Sequence, residues 1–400
     1  MTHAAEVVYL DHAASTPLDP AVREAMLRVM TELPGNPSSV AHEPGRRAAA
    51  AVEQAREQVA AVIGSRPDEL IWTSGATEAN NLAIEGAARA WSRRTGRPGH
   101  MISVCTEHRA VLDPLRSLEA RGWQITRLPV DSAGLISTDS LLAALGPDTA
   151  LVSVMQVNNE TGVIQDVAGV ARALRQAEHG ALLHVDAAQA AGRLPIDVRA
   201  LDVDLLSLSG HKLYGPQGVG ALFRRRQPLA PLAPLLTGGG QEGGLRAGTL
   251  ATHQIVGFGV AVARAEARRA DHWAELSAPM TALIDRLLTL PEVYLNGAQA
   301  PRVPHIASFS VGGVHPEALL AAVCGGDEPL AVSAGSACAS AQGGSSHTLR
   351  AMGRTPALAA AALRVSPGQQ TTVAMLERAA DKMVGEIQRL RALAPARQAV

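Results

Sequence analysis

The chain has 400 residues, 36 of them basic and 37 acidic, for a formal charge of −1, and so weak a field argues against a nucleic-acid groove or a membrane-binding surface. With 47% apolar residues it is long enough for two or three domain-sized units around a substantial core. No apolar run approaches the roughly 18 to 20 residues of a membrane span, and the start Met1-Thr-His-Ala-Ala-Glu lacks the basic opening of an export signal, so the sequence reads as cytoplasmic.

Short buried strands are predicted at Leu70–Thr73, His100–Cys105, Trp123–Leu128, Leu151–Met155, Ala181–Val185 and Leu205–Leu208. Helical spacing over Glu78–Ala90, Ala110–Ala120 and Asp166–Glu178 separates most of them. This alternation predicts an α/β fold, a mainly parallel central sheet with helices on both faces and a ligand crevice outside the carboxyl ends of its strands. Beyond the Gly-rich stretch Gly238–Gly244, an Ala- and Arg-rich run from Thr252 to Leu290 reads as one long helical passage into a smaller α+β domain. That domain takes in His305–Val311, Cys338 and C-terminal helices, so the expected division is 16–260 for the large domain and 1–15 with 261–400 for the smaller one.

All but two of the basic side chains are arginine; the lysines are Lys212 and Lys382. Lys382 falls among apolar positions of helical spacing and reads as a solvated face residue. Lys212 lies in the turn-rich stretch Ser209-Gly-His-Lys-Leu-Tyr-Gly-Pro, just after a predicted strand, where its presence calls for a chemical reason. Thr73-Ser-Gly-Ala-Thr-Glu follows a strand and opens a helix, so backbone N–H groups and the helix dipole converge there: either a capped helix start or a cradle for one phosphate. Asp186, at the tip of a strand, either caps the next helix or meets a cation such as a protonated heterocyclic nitrogen. A phosphate cradle, a carboxylate for a ring nitrogen and a weakly solvated lysine together describe a pyridoxal 5'-phosphate site.

The remaining candidates are weaker singly. His108 follows a strand and suits either a helix start or a stacking and proton-relay role. The three cysteines form no CxxC pair: Cys105 and Cys324 read as packing residues, whereas Cys338 sits among small polar residues that suit a mobile, exposed loop. Arg364 ends a short apolar segment, where a guanidinium could hold a substrate carboxylate. No histidine spacing suggests a metal site, and none is expected.

In order along the chain, Tyr9-Leu-Asp-His-Ala-Ala-Ser-Thr-Pro, Gly35-Asn-Pro-Ser-Ser, Ser74-Gly-Ala-Thr-Glu, Thr106-Glu-His-Arg-Ala-Val, Val157-Asn-Asn-Glu-Thr-Gly, His184-Val-Asp-Ala-Ala-Gln, Ser209-Gly-His-Lys, Arg246-Ala-Gly-Thr, Ser336-Ala-Cys-Ala-Ser and Leu363-Arg-Val-Ser resemble the cysteine desulfurases. These are pyridoxal-phosphate enzymes of the class V aminotransferase group, of fold type I. The resemblance implies conversion of L-cysteine to L-alanine, with the sulfur passing to an enzyme cysteine. It implies Lys212 as the Schiff-base lysine, Asp186 on the pyridine nitrogen, Gln189 and Asn159 near the ring oxygen, and His108 stacked on the ring. Ala76, Thr77, Ser209 and His211 are implied to hold the phosphate, with Thr249 reaching the phosphate of the other subunit of a homodimer. Arg364 would bind the substrate carboxylate and Cys338 would take the sulfur for an acceptor protein, an iron-sulfur scaffold or a tRNA-thiolation carrier. The small-residue loop resembles the branch linked to iron-sulfur assembly, while the short stretch after Leu393 lacks the longer tail with which housekeeping members dock a scaffold. A selenocysteine lyase or aminotransferase on the same scaffold, and a non-catalytic ligand-binding protein, are the alternative readings.

Overall fold

The computed structural model describes residues 7–335 and 345–393. Among them, β1 (Val8–Tyr9) is followed by α1 (Pro20–Glu32) and α2 (Glu43–Val62). Alternation then begins with β2 (Leu70–Thr73), α3 (Ala76–Thr95), β3 (His100–Val104), α4 (Arg109–Glu119), β4 (Gln124–Leu128) and α5 (Thr138–Ala144). It continues through β5 (Thr149–Met155), α6 (Val167–Gln176), β6 (Leu182–Asp186), β7 (Leu205–Ser209) and β8 (Gly220–Arg224). Strands β2 to β8 form one sheet in the order β2-β8-β7-β6-β5-β3-β4, parallel from β7 to β4, with β8 antiparallel to both neighbours. Every residue of β5 is buried, as a sheet covered on both faces requires.

The anticipated, mainly parallel α/β sheet is therefore present. Its strands and helices fall where the periodicity put them, to within a few residues at their ends. Asp166 and His108 turn out to be the N-caps of α6 and α4, each accepting a backbone N–H of the first turn. Strand β8 was not anticipated, because its glycine-bracketed start reads as a continuation of the preceding turns.

The rest of the chain gives α7 (Thr252–Ala267), α8 (Arg269–Leu288), β9 (Val293–Leu295), β10 (Ala307–Val311) and α9 (Pro316–Cys324). After them come β11 (Leu330–Ala331), β12 (Ser333–Ala334), α10 (His347–Ala351), α11 (Pro356–Ala360), β13 (Ala362–Val365) and α12 (Val373–Leu393). The single helical run expected over Thr252–Leu290 is two helices. The chain breaks at Arg268 (φ −99°, ψ 1°) because the two halves serve different cores. Ile255, Phe258, Val262 and Ala265 join the sheet core around Trp72, Val152, Val185 and Phe223, whereas Met280, Leu283 and Leu287 join a second core with Phe309, Leu363 and Met383. The N-terminal strand belongs to the second: β1 pairs with β11, and Leu10 is buried there. Next to it stands the antiparallel sheet β12-β13-β10-β9, which brings Arg364 to the crevice.

Candidate active site

A cavity of about 550 Å³ opens at the carboxyl ends of β2, β3, β5, β6 and β7. Ala76, Thr77, His108, Asn159, Asp186, Gln189, Ser209, His211, Lys212 and Arg364 all line it. Thr249 does not: it is exposed, on the segment leading into α7. Cys338 lies outside the described residues.

At one end, β2 turns into α3 through Ser74 and Gly75. Gly75 (φ 148°) occupies the N-cap position with no side-chain cap, so the first-turn N–H groups of a 20-residue helix are left to an anion. The turn fits only because β8 begins with glycine, since a Cβ on Gly220 would fall 2.7 Å from the Gly75 Cα. Thr77 adds a hydroxyl from the first turn, and Ser209 and His211 enter the cavity from the end of β7. His211 Nδ1 lies 3.3 Å from the Ser15 hydroxyl, and burial together with neighbouring Lys212 pushes the imidazole down to about 4.

Asp186 ends β6 and is 5% exposed. Turns rather than a helix come after it, so it caps no helix. Its Oδ1 accepts the Ala188 N–H at 2.9 Å and its Oδ2 accepts the Asn80 amide at 2.7 Å, both neutral donors. Lys212 completes the short 3-10 turn Gly210–Lys212 beyond β7 and faces the same cavity. His108 is at once a helix cap and a cavity residue: its Nδ1 accepts the Ala110 N–H at 3.1 Å, and burial, assisted by Lys212, lowers its pKa. Gln189 is held by donation to the Ala13 carbonyl at 2.8 Å.

Across the cavity, Arg364 is 2% exposed. Its Nη2 donates to Asp11 Oδ1 at 2.7 Å and to the Ser333 hydroxyl at 3.1 Å, and its Nη1 donates to the Asn159 carbonyl at 2.8 Å. Asn158 builds the turn that presents Asn159 and Glu160, its Oδ1 accepting the N–H groups of Glu160 and Thr161, both at 3.0 Å.

Several residues of the site were not singled out from the sequence. Asn80, Ser15, Glu160 and His347 line the cavity, and Asp11 orients Arg364. Glu107 lies 1% exposed behind His108, its Oε1 accepting the Met155 N–H at 2.6 Å; burial drives its pKa well above the ordinary carboxyl value. Asn80 had a legible signal, a polar residue within the buried face of α3 between Ala79 and Leu82.

These residues suit pyridoxal 5'-phosphate. A buried carboxylate whose hydrogen bonds come only from neutral groups suits a protonated ring nitrogen, an uncapped helix start suits the phosphate, and Lys212 supplies the amine. Sheet and cavity together define a pyridoxal-phosphate enzyme of the α/β type.

The aminotransferase class-V family matches residues 8–378. A cysteine desulfurase IscS of Methylococcus capsulatus is 47% identical over 388 residues, covering 97% of this chain and 94% of the relative. Among solved structures, a NifS-like protein superposes with a TM-score of 0.88 at 32% identity, covering 96% of this chain and 100% of that one. A structure described as SspA in complex with cysteine gives a TM-score of 0.78 at 35% identity, over 90% of this chain and 98% of the other. The chain belongs to the class-V aminotransferases and, within them, to the cysteine desulfurases.

Proposed function

We propose that this cavity converts L-cysteine to L-alanine and that the sulfur leaves as a persulfide on Cys338. The observation that carries the reading is the meeting in one cavity of Asp186 and Lys212, at the ends of neighbouring strands, with Arg364 from a distant part of the chain. When bound, the cofactor supplies an electron sink for the charge left at the substrate Cα. Asp186 would face the ring nitrogen and stabilise that sink. Gln189 and Asn159 would serve the ring oxygen, and His108, its pKa lowered by burial, would pack against the ring. Ala76, Thr77, Ser209 and His211 hold the phosphate. Thr249, exposed on one subunit, completes the phosphate site of its partner in a homodimer.

Arg364 binds the substrate carboxylate, its fork steadied by Asp11 and Ser333. Lys212 Nζ would then take the Cα proton and hold it for the carbon fragment that forms once the sulfur has left. The Cys338 thiolate attacks the substrate sulfur: a sulfur–sulfur bond forms, the carbon–sulfur bond breaks with its electron pair left on the carbon fragment, and protonation of that fragment gives alanine. An acceptor thiol attacks the persulfide next, on an iron-sulfur scaffold or a tRNA-thiolation carrier in the cytoplasm. The large domain, 16–260, holds the cofactor, and 1–15 with 261–400 supply the substrate clamp and the sulfur carrier.

A Lys212→Ala variant is expected to lose both the bound-cofactor absorbance and alanine formation. A Cys338→Ala variant should keep the cofactor and form no persulfide. Release of alanine and sulfide by that second variant at the parental rate rules Cys338 out as the nucleophile.

A further inference from the structure

Behind the active-site wall, three polar side chains are buried without the partners such groups require. Arg193 is 6% exposed; its guanidinium stacks 5.8 Å from the Tyr214 ring and pairs with no carboxylate among the described residues. His272 on α8 and His305 ahead of β10 are 4% and 2% exposed, and all four of their ring nitrogens lack a hydrogen-bond partner. Glu275 Oε2 stands 3.9 Å from His272 Nδ1, too far for a hydrogen bond, and is on an exposed carboxylate already paired with Arg268. The three side chains converge on a cavity of about 10 Å³, walled by Trp273 and Leu276 and by Arg269, whose own charge is met by Glu266 at 3.0 Å.

A buried cation without a counter-charge is costly, and so is each desolvated N–H left unbonded. The cavity has room for a single occupant of about the size of a water molecule, which leaves out carboxylates, sulfate and phosphate. Water would satisfy the N–H donors but leave the charge of Arg193 uncompensated. We propose that this cavity binds one monatomic anion, chloride under ordinary conditions, held by the Arg193 guanidinium and by one N–H from each of His272 and His305. Burial, with Arg193 close by, pushes His272 down to about 4 and His305 well below its usual value, so each ring is neutral and has one N–H to give. The ion would tie α8 and the approach to β10 to the segment that runs from Gln189 in the cofactor cavity to Arg193.

The test uses the intact holoenzyme. Crystals soaked in sodium bromide should show an anomalous bromine peak between Arg193 and the two imidazoles. Melting in sodium chloride should occur roughly 2 °C or more above melting in sodium gluconate of equal ionic strength, and Arg193→Gln should remove that difference. Absence of the peak, a wild-type melting temperature indifferent to the anion, or a variant that keeps the chloride increment overturns the proposal. The bromide soak and the wild-type melts need no variant, so the proposal is exposed to refutation even if Arg193→Gln does not fold.

Discussion

Asn80 donates its side-chain amide to Asp186 Oδ2 at 2.7 Å, joining the buried face of α3 to the tip of β6. The amide oxygen of Asn80 has no partner of its own, so the residue's polar contact is spent on orienting this carboxylate. Asn80→Leu keeps the volume and leaves Asp186 with the Ala188 N–H alone to fix its direction. Hydrogen bonds to charged groups are worth about 1.5–3 kcal/mol, so the affinity of the apoenzyme for pyridoxal phosphate should fall roughly tenfold or more. Absorbance titration with the cofactor measures this, and unchanged affinity removes Asn80 from the cofactor site.

His184 makes acid the weak side of the fold. It is wholly buried in β6, with its two nitrogens on the Ser153 and Ser207 hydroxyls at 2.8 and 3.0 Å, and burial lowers it from 6.5 to about 4. Between those two values the unfolded chain takes up a proton that the folded chain refuses. The stability tied to His184 is therefore complete above pH 6.5 and is lost as the pH falls toward 4. One such group contributes a slope of about 1.4 kcal/mol per pH unit within that window. Urea unfolding at pH 7 and pH 5 should show a smaller loss for His184→Gln than for the parent. An equal loss would assign the acid sensitivity to other groups.

The polar residues at the strand ends were legible from the sequence because a charged or hydroxylic side chain at the end of an apolar run is costly without a purpose. Asp186, Lys212 and His108 all stand out in this way, and the structure gathers them. What periodicity could not supply was pairing across long separations. Nothing local in Tyr9-Leu-Asp-His says that Asp11 will meet Arg364, 353 positions away. Strand β8 was hidden because its first residue, Gly220, needed for close approach to Gly75, looks like a turn residue. The break at Arg268 was hidden for a related reason, since both halves of the run have helical spacing and only their different cores separate them.

Within the Gly-rich stretch Gly238–Gly244, Glu242 pins the chain. Its Oε1 accepts from Arg56 Nη2 at 2.7 Å, and its Oε2 accepts both Arg56 Nη1 at 3.0 Å and the Trp72 N–H at 2.8 Å. With side chains only 9% and 3% exposed, neither charge can turn to water if its partner is removed. Glu242→Ala should therefore destabilise the fold by about 3–5 kcal/mol, whereas Glu242→Gln, which retains the hydrogen-bonding shape, should cost less. Chemical unfolding of the two variants makes the comparison, and a loss under 1 kcal/mol in the alanine variant (about the value of an exposed pair) would mean that the stretch is held by other contacts.

On the proposed reading of Arg364 as the substrate clamp, its variants should separate binding of the substrate from the chemistry done on it. Three of its hydrogen bonds go to Asp11, Ser333 and the Asn159 carbonyl, which fixes the guanidinium plane before any substrate arrives. A lysine at the same place has one compact ammonium, which cannot satisfy those partners and a substrate carboxylate together. Breaking one side of a buried hydrogen-bonded charge pair costs about 2–5 kcal/mol, so Arg364→Lys should raise KM for cysteine roughly a hundredfold with a smaller change in kcat. Asp11→Asn keeps a polar partner for Nη2 but removes its charge, so its KM should rise less than that of the lysine variant, with cofactor affinity unchanged. If Arg364→Lys instead lowers kcat at constant KM, the guanidinium acts on the transition state and the carboxylate is held elsewhere.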